Sequence, residues 1–416
     1  MTEKRISSLL TLLVLTVMTA FGVSPEQAVE RFVKASGLRP GSVAVKIVDL
    51  KDGKTVGEYN GSTPLVPASI MKSVTTAALL DKVGPDYRYH TQVYLDGPMD
   101  MGIVRGNLVI EGAMDPSLNS RSEPVSEEFV GEIVDRLKLL GIHKIEGRII
   151  VDQSKFEGNS RPASWQKEDF KETYGTGSHS FNFESNSNGK FSVENPAKVF
   201  ESRLLSRLAK EGILIDMKDL GDGSRERILD HVSAPIDEIM RSCMMRSDNL
   251  FAESMLRTYG KLNGGNGSTE EAAEEETEMW RKKKMPMEGV RIIDGSGLSR
   301  QNRVTADFMT SVLRSMSGNP YYASFFPLAG QEGTLKKFLA ATPLDSYVAM
   351  KTGSMKGIQC YAGYKLDEDY VPTHAIVIMM NDITGSRTKA KTAAEKMLLS
   401  IFEQPTDNKD EERETE

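Results

Sequence analysis

Between residues 42 and 59 the polar and apolar positions read as a β-hairpin. Val43, Val45, Ile47 and Val48 form an apolar strand, Lys51-Asp-Gly53 a turn, and residues 55–59 the return. A helix is predicted to start close to Ser69, because Ile70, Val74, Ala77, Ala78 and Leu80 include three- and four-residue spacings and Pro67 stands just ahead of them. From residue 86 to 234 the texture changes. Strand-like runs at 90–95, 106–111 and 147–151 are interspersed with helical ones at 127–140 and 197–211, and this stretch has its own turn signals. It therefore reads as a folding unit inserted into another. Helical patterning returns after Arg241 and continues through Asn249 to Tyr259. The acidic run 270–276 looks like low complexity, yet Ser268 and Glu271 fit a capping box and Ala272, Met279 and Trp280 give a partial apolar face, which predicts a helix there. Strands at 347–351, 360–365 and 374–380 precede a helix at 388–402.

The two ends read differently. Lys4 and Arg5 precede an uncharged apolar run at 9–21, with the small residues Ala20 and Gly22 at its close, so residues 1–22 are expected to be a secretory signal. No cysteine follows that could carry a lipid anchor, and cleavage would leave no requirement for membrane association. The charged tail 404–416 lacks apolar anchors and is expected to be disordered. The implied organisation is a discontinuous domain of residues 23–85 and 235–403, with an inserted domain at 86–234.

Composition narrows the class. The chain has 416 residues, 39% hydrophobic and 27% charged, with a net charge of -7 and no basic block. This is a globular balance that argues against a nucleic-acid partner, since phosphate neutralisation needs concentrated Lys and Arg. Cys243 and Cys360 are read as buried free thiols, with a disulfide between them left open. His90, His143, His179, His231 and His374 show no paired-ligand spacing, so neither a metal nor another cofactor is expected.

Candidate chemistry lies in three short words: Ser69-Ile-Met-Lys72, Ser247-Asp-Asn249 and Lys351-Thr-Gly353, whose first residues are 178 and 104 positions apart. None is informative alone. A serine followed three places later by lysine also occurs at Ser164, Ser187 and Ser386. Together and in this order they match the motif set of class A β-lactamases and penicillin-binding proteins. A serine at a helix start is exposed to unpaired backbone N–H groups, and a lysine three positions on shares its face. Lys72 can act as base only when neutral; burial and a nearby positive Lys351 would both favour that form. Ser247 is suited to relay a proton, and Asn249 to donate to a substrate carbonyl while accepting from the lysine. Lys351 and Thr352 would hold a substrate carboxylate. Gly353 would let the substrate lie against the strand, and the backbone N–H groups of Ser354 and Ser69 would form an oxyanion hole.

Further words make a family visible. Asp294-Gly-Ser-Gly-Leu-Ser299-Arg-Gln-Asn302-Arg-Val304, Gly330-Gln-Glu-Gly333-Thr-Leu335 and Ala362-Gly363-Tyr364 resemble segments of the D-alanyl-D-alanine carboxypeptidase and endopeptidase family, the class C low-molecular-mass penicillin-binding proteins. The resemblance spans residues 42–402. It implies an α/β (α+β) fold of the penicillin-recognising type, an antiparallel sheet flanked by helices, interrupted by a mostly β insertion. It further implies that Ser69 is acylated, Lys72 is the base, Ser247 and Asn249 form the second wall, and Lys351 and Thr352 clamp the carboxylate. Peptidoglycan stem peptides would be the substrates, β-lactams covalent inhibitors, and the periplasm or cell-wall space the compartment. Glu111-Gly-Ala-Met-Asp115-Pro116 and Tyr174-Gly-Thr-Gly-Ser-His179 depart from the family pattern, and the insertion is shorter than in its larger members. A serine β-lactamase and a non-catalytic wall-binding protein remain the alternatives; against the former, the Glu-x-x-Leu-Asn word of class A enzymes is absent.

Overall fold

The computed structural model describes residues 23–121, 128–218 and 220–403. The expected signal at 1–22 and tail at 404–416 lie outside these residues.

The two ends of the chain build one sheet. Its five antiparallel strands run, edge to edge, Val348–Met355, Ile358–Leu366, Pro372–Met380, Val43–Asp49 and Thr55–Tyr59. The long-range pairing joins the first strand to the last, with Val45 opposite Ile378. Both faces of the central strands are covered, which explains their nearly continuous apolar sequence. Along Pro372–Met380, Ile376, Ile378 and Met380 enter one core with residues of the Pro25–Ser36 and Arg387–Phe402 helices. Ala375, Val377 and Met379 enter the other, with the helices Met71–Val83, Ile236–Arg246, Asn249–Leu262 and Ala306–Met316.

The Pro25–Ser36 helix is absent from the sequence reading, although its signals are plain in hindsight. Ser24 accepts from the Gln27 N–H, Pro25 occupies the first turn, and Gly37 closes the helix at φ 68°. Ser268 does cap the helix Thr269–Lys282, but only half of the capping box forms. Glu271 Oε2 accepts from the Asn266 N–H, while the Ser268 N–H goes to Asn266 Oδ1.

Residues 90–232 supply two further sheets. One orders Arg225–Val232, His90–Asp96, Asn107–Glu111 and Ile149–Asp152; the other is made of two-residue strands. Phe129–Leu139 and Pro196–Lys210 are helices whose apolar faces complete a third core, drawn entirely from residues 93–228. That core shares no residue with the other two. Polar contacts from this stretch to the Asn249–Leu262 helix help shape the site.

Candidate active site

Ser69 lies in a single 3-10 turn, Ala68–Ile70, that runs into the Met71–Val83 helix. The turn is held in an uncommon shape: Ala68 has φ 49°, a left-handed value for a residue with a side chain. Two glycines make room for it. A Cβ on Gly297 would fall 1.9 Å from Ala68 O, and one on Gly353 would fall 2.5 Å from Pro67 O and 3.2 Å from the Ser69 N. Gly353 is thus required because the strand's backbone packs against the Ser69 turn. This requirement stands beside the clearance for substrate expected from the sequence.

The helix behind Ser69 is buried around its whole circumference from Met71 to Leu80. Its polar groups are accordingly bonded inward. Thr75 donates to Gly295 O at 3.0 Å, Ser73 to Ile70 O, and Tyr322 Oη to Ser73 O at 2.7 Å. Lys72 is completely buried, and its Nζ meets three oxygens: Ser69 Oγ at 3.0 Å, Asn249 Oδ1 at 2.6 Å and Ser296 O at 2.8 Å. A neutral amine has two hydrogens and one lone pair. Asn249 Oδ1 and Ser296 O can only accept, so they take both hydrogens and leave the lone pair for the Ser69 hydroxyl proton. Burial lowers the pKa of Lys72, opposed by the charges of Cys243, Asp294, Glu253 and Asp248. The repulsion between Lys72 and Lys351 expected from the sequence is mutual and is present here. Burial first, and then the Lys72 charge, hold Lys351 well below the ordinary lysine range.

Ser247 ends the Ile236–Arg246 helix in a left-handed conformation, φ 61°, with its N–H on Cys243 O. Asp248 caps the next helix by accepting from the Phe251 N–H. Asn249 is therefore the first residue of the Asn249–Leu262 helix and faces Lys72. Its Nδ2 donates to Tyr174 O at 2.8 Å and keeps a second N–H. Among the described residues Lys72 bonds Ser69, Asn249 and Ser296, and Ser247 is not bonded to it. Ser247 instead lines a cleft of about 320 Å³ together with Asn249, Tyr174, Arg121 and Arg246.

Lys351, Thr352 and Gly353 lie within the edge strand Val348–Met355, which continues past them, whereas the sequence pattern ended it at Lys351. Lys351 Nζ donates to Thr352 O at 2.7 Å, and Thr352 Oγ1 to Thr334 Oγ1 at 2.7 Å. Ser354 is exposed and accepts from Arg387 at 2.7 Å. Cys243 and Cys360 are both free and buried, with burial pushing each thiol up to about 12. Among the described residues no group of three or more His, Cys, Asp or Glu could hold a metal ion.

The sequence reading missed several residues that complete the site. Thr334 and Ser296 stand inside two of the three segments that carried the family resemblance, so their neighbourhood was flagged but not their contacts. Asp294 binds its own loop, accepting from the N–H groups of Gly297 and Ser299 and from Asn302 Nδ2, and it also accepts from Trp165 Nε1 at 2.8 Å. Tyr174 opens one of the words that depart from the family pattern, and Trp165 stands nine residues before it. Only the folded chain shows that stretch as a wall of the site.

Comparison with known proteins identifies the family and the fold. The family described as D-Ala-D-Ala carboxypeptidase 3 (S13) matches residues 26–188 and 182–401. Carboxypeptidase DacB of Mycolicibacterium smegmatis is 27% identical over 346 residues, covering 79% of this chain and 74% of the relative. Among solved structures, penicillin binding protein 4 (dacB) from Haemophilus influenzae superposes with a TM-score of 0.75 at 21% identity, over 88% of this chain and 98% of that one. The predatory peptidoglycan endopeptidase Bd3459 from Bdellovibrio bacteriovorus gives a TM-score of 0.56 at 17% identity, over 85% of this chain and 90% of that one.

Proposed function

The chain belongs to the D-Ala-D-Ala carboxypeptidase 3 (S13) family and is a serine D,D-peptidase, and from that premise we propose that Ser69 is its nucleophile and Lys72 the base that activates it. The observation that carries this reading is the Lys72 nitrogen, whose two acceptor-only partners direct its lone pair at Ser69 Oγ. Lys72 takes the hydroxyl proton as Oγ attacks the carbonyl carbon of the D-alanyl bond. The backbone N–H groups of Ser69 and Ser354 receive the developing oxyanion. The C–N bond then breaks, the leaving amine recovers the proton from Lys72, and water later hydrolyses the ester.

Lys351 and Thr352 hold the terminal carboxylate of a peptidoglycan stem peptide, and the remaining N–H of Asn249 serves the substrate backbone. Ser247 stands at the adjoining cleft, where it relays the proton between Lys72 and the leaving amine. β-Lactams acylate the same serine. The carboxypeptidase and endopeptidase names of the compared proteins both fit this chemistry. We further propose that residues 1–22 direct export to the periplasm or cell-wall space and that residues 86–234 are an inserted domain. No described helix is long and apolar enough to cross a membrane.

Labelled penicillin tests the reading. The native protein is expected to retain label for minutes and Ser69→Ala to retain none. Turnover within seconds would favour a β-lactamase, and labelling of neither would favour a wall-binding protein. Mass spectrometry of digested muropeptides separates loss of D-alanine from splitting of cross-linked dimers.

A further inference from the structure

Four residues after Asn249, on the same face of its helix, is Glu253, which is 1% exposed. Its Oε1 accepts from the Ser296 N–H at 2.8 Å, and the carbonyl of that same residue accepts from Lys72 at 2.8 Å. Asn249 and Glu253 therefore hold the lysine together, one directly and one through the Ser296 residue. Oε2 of Glu253 is buried and has no hydrogen-bond partner among the described residues. A carboxylate left this way is costly, and a neutral acid much less so.

The charged groups facing it are Asp294 from the loop, Lys72 from the Ser69 helix and Arg257 from its own helix. Asp294 takes four donors on its two oxygens, whereas Glu253 Oε2 has none among the described residues, so of the two carboxyls Glu253 is the one that holds a proton. Burial, followed by the Asp294 charge, raises the Glu253 pKa accordingly. A neutral Glu253 also leaves Lys72 with one fewer negative neighbour to favour its ammonium form.

We propose that Glu253 is a positioning residue for the acylation base, fixing through Ser296 the point at which Lys72 Nζ sits between Ser69 and Asn249. This rests on the acyl-transfer reading above. An acceptor at Oε1 is what the site needs, and a charge there is not.

Acylation kinetics of the full chain with a chromogenic β-lactam, fitted for a saturating rate and a half-saturating concentration, provide the test. Glu253→Gln keeps the acceptor and cannot ionise; it should acylate within about threefold of the native rate. Glu253→Ala should lower the saturating rate by about tenfold or more while the half-saturating concentration stays within about twofold, because base orientation matters only in the chemical step. Glu253→Asp, one methylene short of Ser296, should behave like the alanine variant and carries the test if that variant does not fold.

Glu276→Ala is the control for loss of a buried glutamate. Glu276 is also fully buried with an unpartnered Oε2, but lies on the Thr269–Lys282 helix away from Lys72; this variant should acylate at the native rate. Native acylation rates in both Glu253→Ala and Glu253→Asp would overturn the proposal, as would a Glu253→Gln loss equal to that of alanine. A native protein that is not acylated at all would overturn both this inference and the reading beneath it.

Discussion

Lys72 and Lys351 are two buried lysines on which the proposed mechanism places opposite requirements, a neutral amine at the first and a cation at the second. For Lys72, burial lowers the pKa, so its amine form appears as pH rises through that lowered value. The acylation rate should therefore climb on the acid side and reach a plateau at a pH below the usual lysine pKa of about 10.4. A midpoint at that ordinary value, in a pH-rate profile with β-lactam, would contradict a buried base. Lys351 is held well below its ordinary value in the free site, where Thr352 O is its only bonded acceptor among the described residues. An incoming carboxylate supplies the missing countercharge and favours the ammonium form. Binding of a D-alanyl peptide to Ser69→Ala should consequently draw protons from solvent. Calorimetry in buffers of different ionisation enthalpy measures this uptake, and a Lys351→Met variant should abolish it. The identities of both lysines stand in the sequence. Their protonation could not be read there, because it depends on burial and on oxygens contributed from distant segments such as Ser296.

At the scale of elements, the site depends on how a strand and a turn meet. The hydrophobic pattern located every strand of the five-stranded sheet, because strands buried on two faces are written as continuous apolar runs. It ended the Val348–Met355 strand four residues early. Those last positions include polar residues that sit at the site edge, where an apolar pattern has nothing to report. Similarly, the pattern from Arg241 to Tyr259 read as one helical stretch, although left-handed Ser247 and the Asp248 cap divide it in two. That break turns Asn249 toward Lys72. Gly353→Ala tests the strand-turn contact directly. Its new Cβ would press on backbone atoms of Pro67, Ile70 and Ser69. Stability should fall by about 1–3 kcal/mol, and acylation should fall further than that loss alone would cause. Chemical denaturation and acylation rates measured side by side separate the two effects.

Across the whole molecule, the stretch 86–234 has its own core, yet it is joined to the site by buried polar bonds from one helix. Arg257, 2% exposed, donates to the carbonyls of Glu157 at 2.7 Å, Gly267 at 2.8 Å and Ser178. Ser254 meets Ser178, and Trp165 reaches Asp294. Arg257→Met would remove the donor to three carbonyls, and the two in buried bonds, Gly267 and Ser178, are each worth about 1–3 kcal/mol when left unsatisfied. A native protein that melts in one calorimetric transition should then melt in two, with the first belonging to residues 86–234. A native scan already showing two transitions would mean that these bonds do not couple the cores.

The sequence by itself determined the three motifs, their order, the sheet-forming runs and the family, because nucleophile, base and apolar alternation are properties of residue type and spacing. Tertiary structure alone decided that Ser296 joins Asn249 in holding Lys72, that Gly353 makes room for the Ser69 turn, and that Tyr174 and Trp165 reach the site from residues 86–234. Those are contacts between segments far apart along the chain, and local patterning carries no record of which distant backbone oxygen will arrive beside a buried amine.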